Sequence, residues 1–143
     1  MKILITGASG FIGSHIVRYL LEKGVNVIVA VRKYAVPRRL QYVVKKEWVV
    51  EINLLKSQSI YKAICSTKPD IIILAAAYGV NYSEQDFDQS INVNVKGGVH
   101  LVEACKKYGV NKLFYLGTSL EYGNSDGLLK ETNILAPQGM YGA

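Results

Sequence analysis

The chain has 143 residues, 50% of them hydrophobic and 20% charged, with a formal net charge of +6 and mean hydropathy +0.15. This is enough for one domain with a substantial core, and the composition is that of a globular protein. No apolar run approaches the roughly 18 residues that a membrane-spanning helix needs, and "MKILITG" leads into a glycine motif rather than a signal-peptide cleavage site.

The elements follow in order. "KILIT" (2–6) reads as a short buried strand before glycines. From Phe11 to Lys23 the residues Ile12, Ile16, Val17, Leu20 and Leu21 recur at helical spacing toward the core, with Gly24 as the stop. "VNVIVAV" (25–31) is a second buried strand, 32–46 a polar, basic loop, and "EWVVEI" (47–52) a third strand. A helix follows, capped near Ser57 or Ser59, with Ile60, Ala63 and Ile64 inward. Lys68-Pro69-Asp70 is a turn, and 71–75 is a buried strand. A long helix is predicted from about Glu84 to Tyr108, with Phe87, Ile91, Val95, Val99, Val102 and Cys105 on one face and Gly109 as its stop. Strand 112–116 is the last element, and no regular structure is expected after Ser119. Strands alternating with helices imply a doubly wound α/β domain with a parallel sheet.

Cations are scattered except for Arg32, Lys33, Arg38, Arg39, Lys45 and Lys46. That cluster suits a phosphate better than a duplex, so no nucleic-acid partner is expected. Cys65 and Cys105 have neither C-x-x-C nor metal spacing. They predict two reduced, half-buried helix residues in a cytoplasmic protein, and no metal site. His15 and His100 lie on separate helices and are expected to have surface or packing roles rather than to ligate.

"TGASGFIG" places Gly7, Gly10 and Gly13 between a strand and a helix. Gly7 allows the tight turn, Gly10 lets the backbone approach a pyrophosphate at the helix N-terminus, and Gly13 lets helix and strand pack closely. The flanking strand and helix, with a second strand after them, raise this above a bare glycine pattern.

The G-x-x-G-x-x-G spacing resembles that of the short-chain dehydrogenase/reductase superfamily, and "TGASGFIGSHIV" is similar to its extended branch of nucleotide-sugar epimerases, dehydratases and reductases. The likeness continues through "KPDIIILAAAYGV", "NVNVKGGVHLVEA", "FYLGTSLEYG" and "PQGMYGA". It implies a Rossmann-type dinucleotide-binding domain over 1–143, with cofactor contacts from Gly7, Ser9, Gly10, Phe11, Ile12, Gly13, Arg32, Asn53, Leu54, Leu74, Ala75, Ala76 and Asn94. The chain departs from the family pattern at Ile73, where His is usual, at Asn53, where Asp often reads the adenine, and at Gly98, where Thr is usual.

The second strand runs out into Ala30-Val31-Arg32-Lys33, without the acid that takes ribose hydroxyls in NAD enzymes. Arg32 would pair with a 2′-phosphate; the alternative is a solvated loop arginine. NADP is therefore favoured over NAD.

The resemblance also implies a Tyr general acid/base, a Ser or Thr bonding the reacting oxygen, and a Lys four residues after the Tyr. A free phenol titrates near about 10, so neutral-pH proton transfer needs nearby positive charge. Aligning on Tyr122-Gly123 makes Thr118 and Tyr141 the catalytic pair. Ser119 is the rival hydroxyl, counted with Tyr78 as a substrate residue, and Gly79 and Asn81 beside Tyr78 are either contacts or simple loop. The family's dehydratases carry Asp-Glu after the Thr; Ser119 and Leu120 stand there, and Glu121 is expected to face away. A 4-epimerase or a 4-keto-reductase remains, acting on a nucleotide-sugar. A non-enzymatic NADP-binding redox-sensing regulator is the alternative. The motif's Lys and the substrate lobe fall outside this sequence, so the chain alone is expected to be inactive. The expected partners are the sugar nucleotide and a second copy meeting through the long helix at 84–108, with no membrane.

Overall fold

A computed structural model describes residues 1–79, 86–124 and 127–143. The apolar β-branched run of Lys2–Thr6 forms β1, and every residue from Ile3 to Thr6 is buried. The chain then alternates: α1 (Phe11–Glu22), β2 (Asn26–Val31), β3 (Val49–Glu51), α2 (Ser57–Thr67), β4 (Ile71–Leu74), α3 (Phe87–Ser90), a π-helical turn (Ile91–Lys96), α4 (Gly97–Tyr108) and β5 (Lys112–Tyr115). All pairings are parallel, in the order β3-β2-β1-β4-β5. The doubly wound α/β expectation holds.

Each face of the sheet has its own core. Leu4 and Ile72 pack with Ile60, Ala63 and Ile64 of α2 and Leu101, Ala104 and Cys105 of α4. Ile3, Ile5, Val27 and Val29 pack with Val17 of α1 and with Leu40 and Val44 from the β2–β3 connection. Gly24 and Gly109 take positive φ just past their helices, as C-terminal stops do. Among the described residues no helix is long and apolar enough to cross a membrane.

Several expectations need correction. The helical run from Phe87 to Tyr108 does not bury the predicted stripe: Phe87, Val95, Val99 and Val102 are exposed, and of the named residues only Cys105 is buried. Phe87 is exposed before the π turn begins, so the stripe does not face inward even at its start, and the wider π turn then shifts the helical phase for the residues after Lys96. The buried side of α4 is Gly97, Leu101, Ala104 and Cys105. Residues 80–85, including Asn81 and the predicted start at Glu84, lie outside the described residues; Asp86 caps α3 by accepting the Gln89 N–H at 2.9 Å.

Ile12 is exposed, and the fully buried face of α1 is instead Gly13, Ser14 and Val17. Neither Ser57 nor Ser59 caps α2; Lys56 holds that position, and Ser59 Oγ instead accepts the Asn53 N–H at 3.0 Å. The third strand is shorter than 47–52, since residues 46–48 form a 3-10 turn, as do 38–40 inside the expected loop. Residues 119–122 form another, where no regular structure was expected. The cysteines are not equally half-buried: Cys65 is exposed and Cys105 buried, and burial pushes the Cys105 thiol up from its ordinary pKa.

Candidate functional site at the carboxyl end of the sheet

Connections from β1 and β4, neighbours in the sheet, lead away to opposite faces, which opens a crevice at their carboxyl ends. The glycine loop sits there. Gly7 has φ +67°, and a Cβ on it would lie 2.5 Å from Ala75 C and Ala76 N. The loop after β1 is thus seated directly against the backbone after β4, and the Ala76 N–H reaches buried Thr6 Oγ1 at 3.4 Å. A Cβ on Gly13 would fall 2.3 Å from Gly7 O. Gly13 therefore closes α1 onto the loop, rather than onto the strand as expected from spacing.

Gly10 differs from both. Its added Cβ would meet only Gly7 O, at 3.2 Å, and its other side is open. Gly10 is the N-cap of α1, with no side-chain cap and no acid in the first turn. The first N–H groups of a 12-residue helix thus have no protein acceptor among the described residues, beside exposed Ser9, Phe11 and Ile12. This geometry fits a dinucleotide pyrophosphate.

Arg32 follows β2 in the open and has no hydrogen bond or ion pair among the described residues; Glu51, beside Val31 in register, does not reach it. Asn53 is partly engaged already: its Oδ1 accepts the Leu55 N–H at 3.0 Å, leaving the side-chain NH2 without a partner among the described residues. Leu54 and Leu74 are buried in the core, while Ala75 and Ala76 are half-buried. His15 is exposed on α1 with its Nδ1 2.9 Å from Phe11 O, and His100 is half-buried with its Nδ1 3.5 Å from Leu54 O, a surface and a packing position respectively.

Asn94 does something its sequence position did not suggest. Its Oδ1 accepts the Tyr78 N–H at 2.9 Å, and its Nδ2 donates to Tyr78 O at 2.8 Å and to buried Ser90 Oγ at 3.1 Å. The side chain clamps the backbone leaving β4 at Tyr78. Tyr115 adds a long contact, its hydroxyl 3.5 Å from Asn94 O, in the space that Gly98 leaves. The available sequence signal was an Asn inside a helix, where its competition with backbone bonds is unfavourable without a reason.

Thr118 ends β5's extension as the N-cap of the 119–122 turn, with Oγ1 accepting the Leu120 N–H at 3.2 Å. A hydroxyl that accepts there keeps its own proton to donate. The segment bearing Tyr141 folds against this turn: Ala136 N donates to Glu121 O at 3.0 Å, and a Cβ on Gly142 would sit 2.5 Å from Leu120 O. The segment bearing Tyr141 and the turn that Thr118 caps, 23 positions apart in sequence, are thereby in contact through their neighbouring residues. Ser119 is exposed at its edge, and Glu121 bends back, its Oε2 4.0 Å from the Cβ position of Gly117.

Comparison with known proteins agrees with this architecture. The model of the NAD dependent epimerase/dehydratase family matches residues 3–143. A dTDP-D-glucose 4,6-dehydratase of Dictyostelium discoideum is 35% identical over 146 residues, covering 92% of this chain and 32% of the relative. The UDP-glucose 4-epimerase of Thermus thermophilus, solved with NAD, has TM-score 0.84 at 32% identity, covering 99% of this chain and 46% of that one. That of Thermotoga maritima, solved with UDP-glucose, has TM-score 0.83 at 29% identity, covering 99% and 47%. The chain spans less than half the length of each. With the glycine loop, the parallel sheet order and a match running from residue 3 to residue 143, this chain belongs to the NAD dependent epimerase/dehydratase family.

Proposed function

We propose that the protein carrying this domain is a nucleotide-sugar 4-epimerase or 4-keto-reductase, with 1–143 as its NAD(P)-binding domain. The observation that carries this reading is the folding of the Tyr141 segment onto the turn that Thr118 caps. A bound nicotinamide supplies the hydride chemistry at the sugar carbon. The chain's own residues do the rest. The open helix start at Gly10 holds the pyrophosphate, the Tyr141 phenol exchanges a proton with the sugar oxygen, and Thr118 donates its free O–H to that oxygen. Ser119 and Leu120 stand where a dehydratase would need an acid and a base, and Leu120 transfers no proton; this favours oxidation and reduction over water elimination, although dehydratases are among the relatives.

NADP is the preferred form in this reading. Arg32 is exposed and unpaired among the described residues, and the end of β2 carries no acid to repel a 2′-phosphate. The NAD in the Thermus structure belongs to that protein. Tyr78 and Ser119 border the substrate side. The exposed Val95, Val99 and Val102 are the surface for a homodimer, and the unpaired cysteines suit a cytoplasmic setting. The test is Tyr141→Phe in the whole protein, assayed on UDP- and dTDP-sugars. The expected loss in kcat is about 10²–10⁴-fold, with dinucleotide binding retained. Unchanged turnover would refute the assignment.

A further inference from the structure

The charge of this chain is concentrated in one place. Residues 32–48 carry Arg32, Lys33, Arg38, Arg39, Lys45 and Lys46 against a single acid, Glu47. That is five of the chain's six net positive charges, and the remaining residues are nearly neutral. All six cations are exposed.

The segment is folded, which makes it a surface rather than a tail. Leu40 and Val44 are buried against the β1–β2 side of the sheet and anchor it at two points. Between the anchors the chain makes a hydrogen-bonded turn, with Val43 N and Val44 N both donating to Leu40 O at 3.0 and 2.9 Å. Arg18 of α1 bonds the Arg39 carbonyl and braces it from the other side. The tip of that turn is apolar: Tyr42 is 88% exposed, and Val43 is exposed beside it. In the chain, Arg38 and Arg39 precede this tip and Lys45 and Lys46 follow it.

We propose that this turn is a peripheral docking site for an anionic lipid surface, with Tyr42 and Val43 entering the interface and the flanking cations meeting the headgroups. This departs from the expectation of no membrane, which rested on the want of a spanning segment. A nucleic acid fits less well. Single strands are held by bases stacked on open aromatic faces, yet Lys46 lies over Tyr34 at 5.7 Å and Lys45 over Trp48 at 5.6 Å. Among the described residues Tyr42 has no ring or cation stacked on it and stands 88% exposed at the turn, a lone ring that suits insertion into a flat interface rather than a stack of bases.

The test is co-sedimentation of the full chain with vesicles of phosphatidylcholine alone or with phosphatidylserine added. Partition is expected only with phosphatidylserine. Replacing Arg38, Arg39, Lys45 and Lys46 together by Ala should weaken it at least about tenfold. Tyr42→Ala should weaken it several-fold, including at high salt where charge is screened; the exposure of Tyr42 means the variant keeps its fold, which circular dichroism checks. Soluble glycerophosphoserine should not displace the protein, and Lys112→Ala, at the far edge of the sheet, should bind as the parent does. The proposal is overturned by equal partition to both vesicle types, by undiminished binding of Tyr42→Ala, by displacement with the free headgroup, or by tighter binding to a DNA duplex or single-stranded RNA at the same ionic strength.

Discussion

Gly13→Ala sets two effects of opposite sign against each other. Within a helix, Ala is favoured over Gly by about 1 kcal/mol, so propensity alone predicts stabilisation. The new methyl, however, would sit 2.3 Å from Gly7 O, 2.8 Å from Gly7 C and 3.0 Å from Ala8 Cα. Ordinary carbon contacts are about 3.5–4.0 Å, and all three neighbours are backbone, so no rotamer relieves the clash. Nor can the loop retreat, because the Cβ position of Gly7 is itself 2.5 Å from the backbone of Ala75 and Ala76. Overpacking costs about 1–3 kcal/mol, occasionally more, where neighbours can shift; here they cannot, and the net expectation is about 2 kcal/mol of destabilisation or more. Gly98→Ala is the control. It is also helical, but its methyl meets only Tyr115 Cε2 at 3.7 Å and Leu74 Cδ2 at 3.9 Å, ordinary contacts. It should be neutral or up to about 1 kcal/mol stabilising. Urea unfolding of both variants reads the difference, with unchanged m-values expected. Equal stabilisation by the two substitutions would refute the packing argument at the loop.

Asn94→Ala removes three hydrogen bonds and leaves the Tyr78 N–H and C=O to water. These groups are part-buried, so a loss of about 1–3 kcal/mol is expected, together with faster amide exchange at Tyr78; unchanged protection there would show that the clamp is not a support. Val99→Asp on the exposed α4 face should shift light scattering toward monomer, while Val110→Asp, buried at 8% exposure, should instead disrupt folding. A wild-type chain that is monomeric at high concentration would remove the homodimer proposal.

Strand positions were legible because buried parallel strands read as short β-branched runs, and "KILIT" matches β1 residue for residue. The glycine spacing was equally direct, since only backbone contacts demand those residues. The long helix was misread for a physical reason. Periodicity assumes 3.6 residues per turn, and the π turn at 91–96 breaks that count just where Asn94 must face Tyr78. The exposed valines that misled the inward assignment of α4 are unburied because Leu101, Ala104 and Cys105 enter the core with α2 instead. Singling out Thr118 and Tyr141 required alignment to a family pattern, because no local periodicity links a turn at 119–122 to a segment that reaches it through a loop. What Asn53 does with its Oδ1 was invisible for a similar reason: a turn to Leu55 and an adenine contact ask for the same side chain.

The most direct test is a calorimetric titration of the chain with NADPH and NADH. Both are expected to bind at the glycine loop, with NADPH tighter by about tenfold, or about 1.4 kcal/mol, and that preference lost in Arg32→Glu. Failure of both dinucleotides to bind would contradict the assignment of the loop, and equal affinities would contradict the role given to Arg32.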